Sequence, residues 1–85
     1  MQYEITYAQS ALRSLRKLDR VVARRVLHVI DGLSRNPRPD GCIRLKGGNG
    51  ELRVRVGDYR IIYDVIDDEV MVLVLAVGHR REVYR

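Results

Sequence analysis

The residues able to do chemistry gather in the last third of this 85-residue chain, between Glu51 and Tyr84. Arg53, Arg55 and Arg60 recur at strand spacing on either side of Gly57-Asp58, and V-G-H-R-R-E-V-Y stands almost at the C-terminus. Guanidinium groups repel one another, so gathering them on one sheet face implies an anionic partner. Their planar forks match phosphate, which makes RNA phosphate the best candidate.

Composition points the same way. The net charge is +5, which favours polyanions, and of the 16 basic residues only Lys17 and Lys46 are lysines. A GC-rich genome would produce the same arginine bias, so the bias alone decides nothing. Hydrophobic residues make up 46% of the chain, too many for a disordered segment, although 32% are charged. Residues 1–85 are long enough for one domain with a single small core. Cys42 has no second cysteine to pair with and no Cys/His cluster around it, so a reducing compartment and no metal are expected. The start, Met1-Gln-Tyr-Glu-Ile, lacks the basic and apolar stretches of an export signal, and Val70 to Val77 is far too short to span a bilayer. A cytoplasmic protein without membrane contacts is the expectation.

The elements that must position the arginines follow from periodicity. Residues 2–7 alternate, with Tyr3, Ile5 and Tyr7 on one side, and predict a strand. Leu12, Leu15 and Leu18 recur at helical spacing, with Arg13, Arg16, Lys17 and Arg20 on the other face. A second helix carries Val22, Val26, Val29, Ile30 and Leu33 as its stripe and stops at Asn36-Pro37-Arg38-Pro39-Asp40-Gly41. The arginines of both helices read as solvated, or as nonspecific contacts to RNA or a partner, and His28 as structural. From Ile43 the pattern is β. Lys46-Gly47-Gly48-Asn49-Gly50 is a flexible loop without the remaining features of a phosphate-binding loop. Leu52–Val56 and Tyr59–Ile66 form a hairpin about Gly57-Asp58, and Val70–Val77 follows a turn at Asp67-Asp68 as a central strand.

Register gives this pattern its functional content. With Gly57-Asp58 as the turn, Val56 faces Tyr59 and Arg55 faces Arg60, so Arg53, Arg55 and Arg60 share one face. With Asp67-Asp68 as the next turn, Leu75 pairs with Arg60 and parity carries His79 onto that same face. Leu52, Val54, Val56, Tyr59, Ile61, Tyr63, Val72 and Val74 collect on the opposite face, ready to receive the helices.

The order strand–helix–helix–meander, with L-K-G before the hairpin, G-D-Y-R-I-I-Y within it and V-G-H-R-R-E-V-Y near the end, resembles the RelE/ParE superfamily of bacterial toxins, closer to RelE than to ParE. The resemblance covers essentially the whole chain. It implies an α+β, RelE-like fold, β-α-α-β-β-β(-β) with an antiparallel sheet packed on a helical hairpin. It also implies a toxin that cuts messenger RNA in the ribosomal A site, with a cognate antitoxin and the mRNA-loaded ribosome as partners. The family's two basic residues on the strand before the hairpin, typically lysines, fall on Arg53 and Arg55. Its arginine after the hairpin tyrosine falls on Arg60, the arginine beyond the last strand's glycine on Arg80, and the terminal tyrosine on Tyr84. The chain is a little shorter than the family both in the hairpin and between Arg80 and Tyr84.

Metal-free cleavage of RNA drives the ribose 2′-hydroxyl onto the adjacent phosphorus and leaves a cyclic 2′,3′-phosphate. It requires a proton acceptor, a donor for the departing 5′-oxygen and cations around the phosphorane, with no cofactor. Arg55 and Arg60 suit the phosphorane, Arg80 the stabilising or leaving-group role, and Tyr84 base stacking. Lys46 and Arg53 are expected RNA contacts. Where the family has lysine, Arg55 cannot accept a proton, so His79 is the better acceptor, with the Tyr84 phenol as the other. Other readings stay open. Arg53 and Arg55 fit an ordinary solvated strand face, and Tyr84 fits a packing residue. A ParE-like gyrase inhibitor without chemistry is the alternative toxin. A plain RNA-binding module is the third class, poorly supplied with aromatics: five Tyr, no Phe, no Trp.

Overall fold

Apolar residues three and four apart give two helices, and alternation gives the strands around them. A computed structural model describes residues 2–79. In order the elements are β1 (Glu4–Tyr7), α1 (Gln9–Lys17), α2 (Arg20–Arg35), β2 (Ile43–Arg44), β3 (Leu52–Val56), β4 (Tyr59–Ile66), a 3-10 turn over Asp67–Glu69, and β5 (Met71–His79). The fold is α+β, with both helices on one face of a five-stranded sheet ordered β1-β5-β4-β3-β2.

The meander β2 to β5 is antiparallel throughout, as expected. β1 differs, pairing parallel to β5 with Ile5 opposite Val72, so the sheet is mixed. Two helices separate β1 from the meander. No tight turn therefore dictates its direction, and it adds to the open edge of β5.

Asp19 starts α2 by accepting the Val21 amide at 3.2 Å, and the helix ends before Asn36, whose side chain accepts the Arg38 amide at 3.3 Å. The core joins Ala11, Val26, Ile30 and Leu33 of the helices to Leu52, Val54, Val56, Ile61, Tyr63, Val72, Val74 and Val77 of the sheet. The expected apolar face is thus present, with Tyr59 packed at its margin. In α1 the buried position belongs to Ala11 rather than Leu12, which is 37% exposed, because Ala11 and Leu15 lie one turn apart on the sheet side.

Side-chain hydrogen bonds tie the loops to this frame. The buried Tyr63 hydroxyl donates to the Pro37 carbonyl at 2.8 Å, holding the segment after α2 against the sheet. Burial, and then the neighbouring Cys42, push its phenol well above the ordinary tyrosine value. Asp67, in the 3-10 turn, accepts from the Tyr3 hydroxyl at 2.8 Å and from Arg38 at 2.9 and 3.4 Å.

The connection from β4 to β5 departs from the expected two-residue turn. It runs through Asp67–Glu69 and Val70, which takes φ 50, so that Ile66 pairs with Met71. Further along, Ile62 pairs with Ala76 but Tyr63 with Val74, leaving Leu75 as a bulge. Its carbonyl accepts the Ser10 hydroxyl of α1 at 3.0 Å. Val70, expected to open the last strand, is therefore a turn residue.

Candidate functional site

Arg55 is the last outward-facing residue of β3 and Arg60 the first of β4, and Gly57, at φ 60, makes the turn between them. The two arginines stand directly opposite one another, with Val56 opposite Tyr59. Opposed side chains of an antiparallel pair leave their Cβ atoms about 5 Å apart, close enough for two guanidinium groups to hold one phosphate. Arg53 shares their face. It lies opposite Ile62 on β4 and Ile43 on β2. Arg55 is exposed, whereas Arg53 and Arg60 are half-buried.

Two rows therefore cross the sheet on the side away from the helices. One runs Ile43, Arg53, Ile62, Ala76, and the next Arg55, Arg60, Gly78. Gly78 stands opposite Arg60, is buried, and projects no side chain of its own. The arrangement can grip an anionic backbone along the arginine row, with an apolar shoulder alongside it.

Three expectations need correction or relocation. The expected Leu75–Arg60 pair does not form, because the longer turn and the Leu75 bulge bring Gly78 opposite Arg60. His79 in consequence pairs with Tyr59 and falls on the helix-facing side of the sheet, not on the arginine face. The two rings meet edge to face, 5.6 Å apart at 82°. Lys46 is exposed in the β2–β3 loop, at the opposite end of β3 from Arg55, about 13 Å away along the strand. Glu51 of that loop accepts the Asn49 amide at 2.5 Å. Arg80 and Tyr84 lie outside the described residues.

His28, expected to be structural, is exposed, and with Val21, Arg24 and Arg25 it lines a groove of about 580 Å³ between α2 and the β3–β4 turn. Arg55 lines the same groove. Positions 21, 24, 25 and 28 share one helix face, a spacing present in the sequence beside the apolar stripe. Among the described residues no His, Cys, Asp and Glu group could hold a metal, and no helix is long and apolar enough to cross a membrane.

Comparison with known proteins adds an independent line. A family model, the ParE toxin of type II toxin–antitoxin system, parDE, matches residues 5–84. The chain is 34% identical over 86 residues to Toxin RelG of Mycobacterium tuberculosis, covering 100% of this chain and 99% of that protein. It is 32% identical over 88 residues to the mRNA interferase toxin RelE of Escherichia coli (strain K12), covering 99% and 92%. Among solved structures it resembles a chain of the Mycobacterium tuberculosis toxin–antitoxin complex RelBE2 with a TM-score of 0.83 at 29% identity, covering 94% of this chain and 100% of that one.

Proposed function

This chain belongs to the RelE/ParE superfamily of type II toxin–antitoxin toxins and lies close to RelE within it, and from that premise we propose that it is a ribosome-dependent endoribonuclease. It cuts messenger RNA in the A site, in the cytoplasm, and a cognate antitoxin protein holds it inactive until released. The supporting observation is the Arg55–Arg60 pair, two like charges set opposite each other across β3 and β4. Two guanidinium forks at that cross-strand spacing match the oxygens of a single phosphate.

Each residue then has a task. Arg55 and Arg60 hold the scissile phosphate and offset the charge that builds on the phosphorane. Arg53 and Lys46 contact the RNA strand to either side. Arg80 stabilises the leaving 5′-oxygen and helps to protonate it, and Tyr84 stacks on a base. Of the two candidate acceptors for the 2′-hydroxyl proton, Tyr84 takes the role as its phenolate, since the register carries His79 to the side of the sheet away from Arg60. Attack on phosphorus and departure of the 5′-oxygen leave a cyclic 2′,3′-phosphate and a 5′-hydroxyl.

The matching of the ParE model favours a second reading, a gyrase-directed toxin without chemistry. Incubating the purified protein with programmed ribosomes and mapping messenger 5′ ends separates the two. Discrete cuts within the A-site codon support the nuclease. Intact messenger together with inhibited gyrase supports the alternative.

A further inference from the structure

β5 carries one residue more than its pairing with β4 uses. Tyr63 pairs with Val74 and Ile62 with Ala76, so Leu75 stands outside the ladder. The β1–α1 junction grips the strand at that point. The Ala8 amide donates to the Val74 carbonyl at 2.9 Å, and the Ser10 hydroxyl donates to the Leu75 carbonyl at 3.0 Å. Ser10 does not serve its own helix. Serine caps a helix from the N-cap position, but the N-cap of α1 is Ala8, which makes no side-chain bond, and Ser10 is the second helical residue. Its hydroxyl goes to the sheet instead.

The consequence lies at the far end of β5, where two registers compete. With Leu75 outside the ladder, Val77 is buried in the core, Gly78 lies opposite Arg60, and His79 lies opposite Tyr59. With Leu75 paired to Ile62, every later residue would shift by one. Val77 would then lie opposite Arg60, and His79 would enter the arginine face.

We propose that Ser10 is a positioning residue for Arg60, because it holds Leu75 out of the ladder and so fixes the first register. The proposal rests on the nuclease reading above, in which Arg60 holds the scissile phosphate. Burial of Val77 favours the same register from the core side. Ser10 adds the place along β5 at which the extra residue sits. The bond lies at the surface, where water can supply another donor to the carbonyl but not the fixed direction of a helix. Its loss should therefore disturb the register more than the stability.

The test uses the full chain and four changes: Ser10→Ala, Ser10→Thr, deletion of Leu75, and Ser10→Ala in the deleted chain. Deleting Leu75 leaves Tyr63 opposite Val74 and Ile62 opposite Ala76 in an unbroken ladder, so Ser10 has nothing left to hold. Register is read by NMR, from the His79 ring protons beside the Tyr59 ring and from amide exchange over positions 76–79. The site is read by messenger cleavage on programmed ribosomes, well below the melting temperature. Ser10→Ala should move the His79 signals and speed that exchange about tenfold. It should lower kcat about tenfold with KM within about twofold, as a small misplacement of a catalytic cation does. Ser10→Thr, which keeps the hydroxyl, should restore both readouts, and in the deleted chain Ser10→Ala should change neither.

Unchanged His79 signals and exchange in Ser10→Ala overturn the proposal. So does an equal loss of kcat with and without Leu75, which would make the serine's role independent of the bulge. If the deleted chain does not fold, the threonine rescue and the His79 signals decide alone: failure of either overturns the proposal. The NMR readouts need no cleavage. Proteins that cut no messenger while their His79 signals move as expected would overturn the nuclease reading and leave the hold of Ser10 on the register in place.

Discussion

Tyr59 and His79 stand opposite each other on β4 and β5 with their rings edge to face at 5.6 Å, and this pairing separates His79 from Arg60. A bulge is responsible. Had Leu75 stayed in the ladder, the Ile66–Met71 pairing would have carried Arg60 opposite Val77, with His79 on the arginine face. One extra residue reverses the facing of everything beyond it, because side chains alternate with period two. The Ser10 hydroxyl bonded to the Leu75 carbonyl fastens the bulge to α1. Helix and site are thereby linked.

The first prediction is that His79 supports the strand end rather than taking a proton. His79→Ala should cost about 0.5–1.5 kcal/mol of stability through loss of the ring pair, while cleavage falls by less than about tenfold. His79→Phe, which keeps an aromatic edge against Tyr59, should recover the stability. Removal of a true general base would instead cost about 100- to 10,000-fold. A loss of that size in a stably folded His79→Ala protein would return the base to His79.

The hairpin about Gly57-Asp58 was legible because its turn is two residues long and each flanking strand alternates cleanly. That made the Arg55–Arg60 pair a direct count along the chain. The β4–β5 register was not legible. Leu75 is an ordinary apolar residue in an apolar run, and nothing in its type marks a bulge. The parallel edge was equally silent, since Glu4–Tyr7 alternates in the same way whichever direction it pairs. The groove beside His28 was not legible for another reason. Helical periodicity says which residues share a face but not which strand end that face meets, and only the packing of α2 beside Arg55 and Gly57 makes a groove.

Tyr63 should prove a strong stabilising anchor of the helix side. Its hydroxyl is the donor that satisfies the Pro37 carbonyl, and both residues are buried. Tyr63→Phe keeps the ring and leaves that acceptor unmet, a cost of about 1–3 kcal/mol. Chemical denaturation at neutral pH measures it. A change below about 0.5 kcal/mol would mean that water or a shifted loop replaces the bond.

The Asp67 cluster should give the protein a defined acid limb. Hydrogen bonds from Arg38, then from Tyr3, hold the Asp67 carboxyl below the ordinary aspartate value of 3.8. A lowered folded value means stability fully present above the unfolded carboxylate range and lost as pH falls through the folded one. Tyr3 is displaced the other way, its phenol raised from 10.0 chiefly by its bond to Asp67, so that contribution is present below pH 10.0 and lost as pH rises beyond it. Asp67→Asn should flatten both limbs in a plot of melting temperature against pH. Limbs that persist unchanged in the variant would assign them to other groups.

The opposed arginines carry the sharpest prediction about chemistry. If Arg55 and Arg60 hold the scissile phosphate, replacing either by Ala removes a preorganised cation from the phosphorane, at a cost of about 100- to 1,000-fold in messenger cleavage on ribosomes. Lysine keeps the charge but not the planar fork, so Arg60→Lys should recover only part of the rate. Because both cations act on one phosphate, the double alanine variant should lose less than the product of the two single losses. Arg55→Ala, at an exposed position, should leave stability within about 0.5 kcal/mol. Cleavage that survives in both alanine variants would detach the pair from catalysis. A single variant that loses stability in step with activity would mark the arginine as structural.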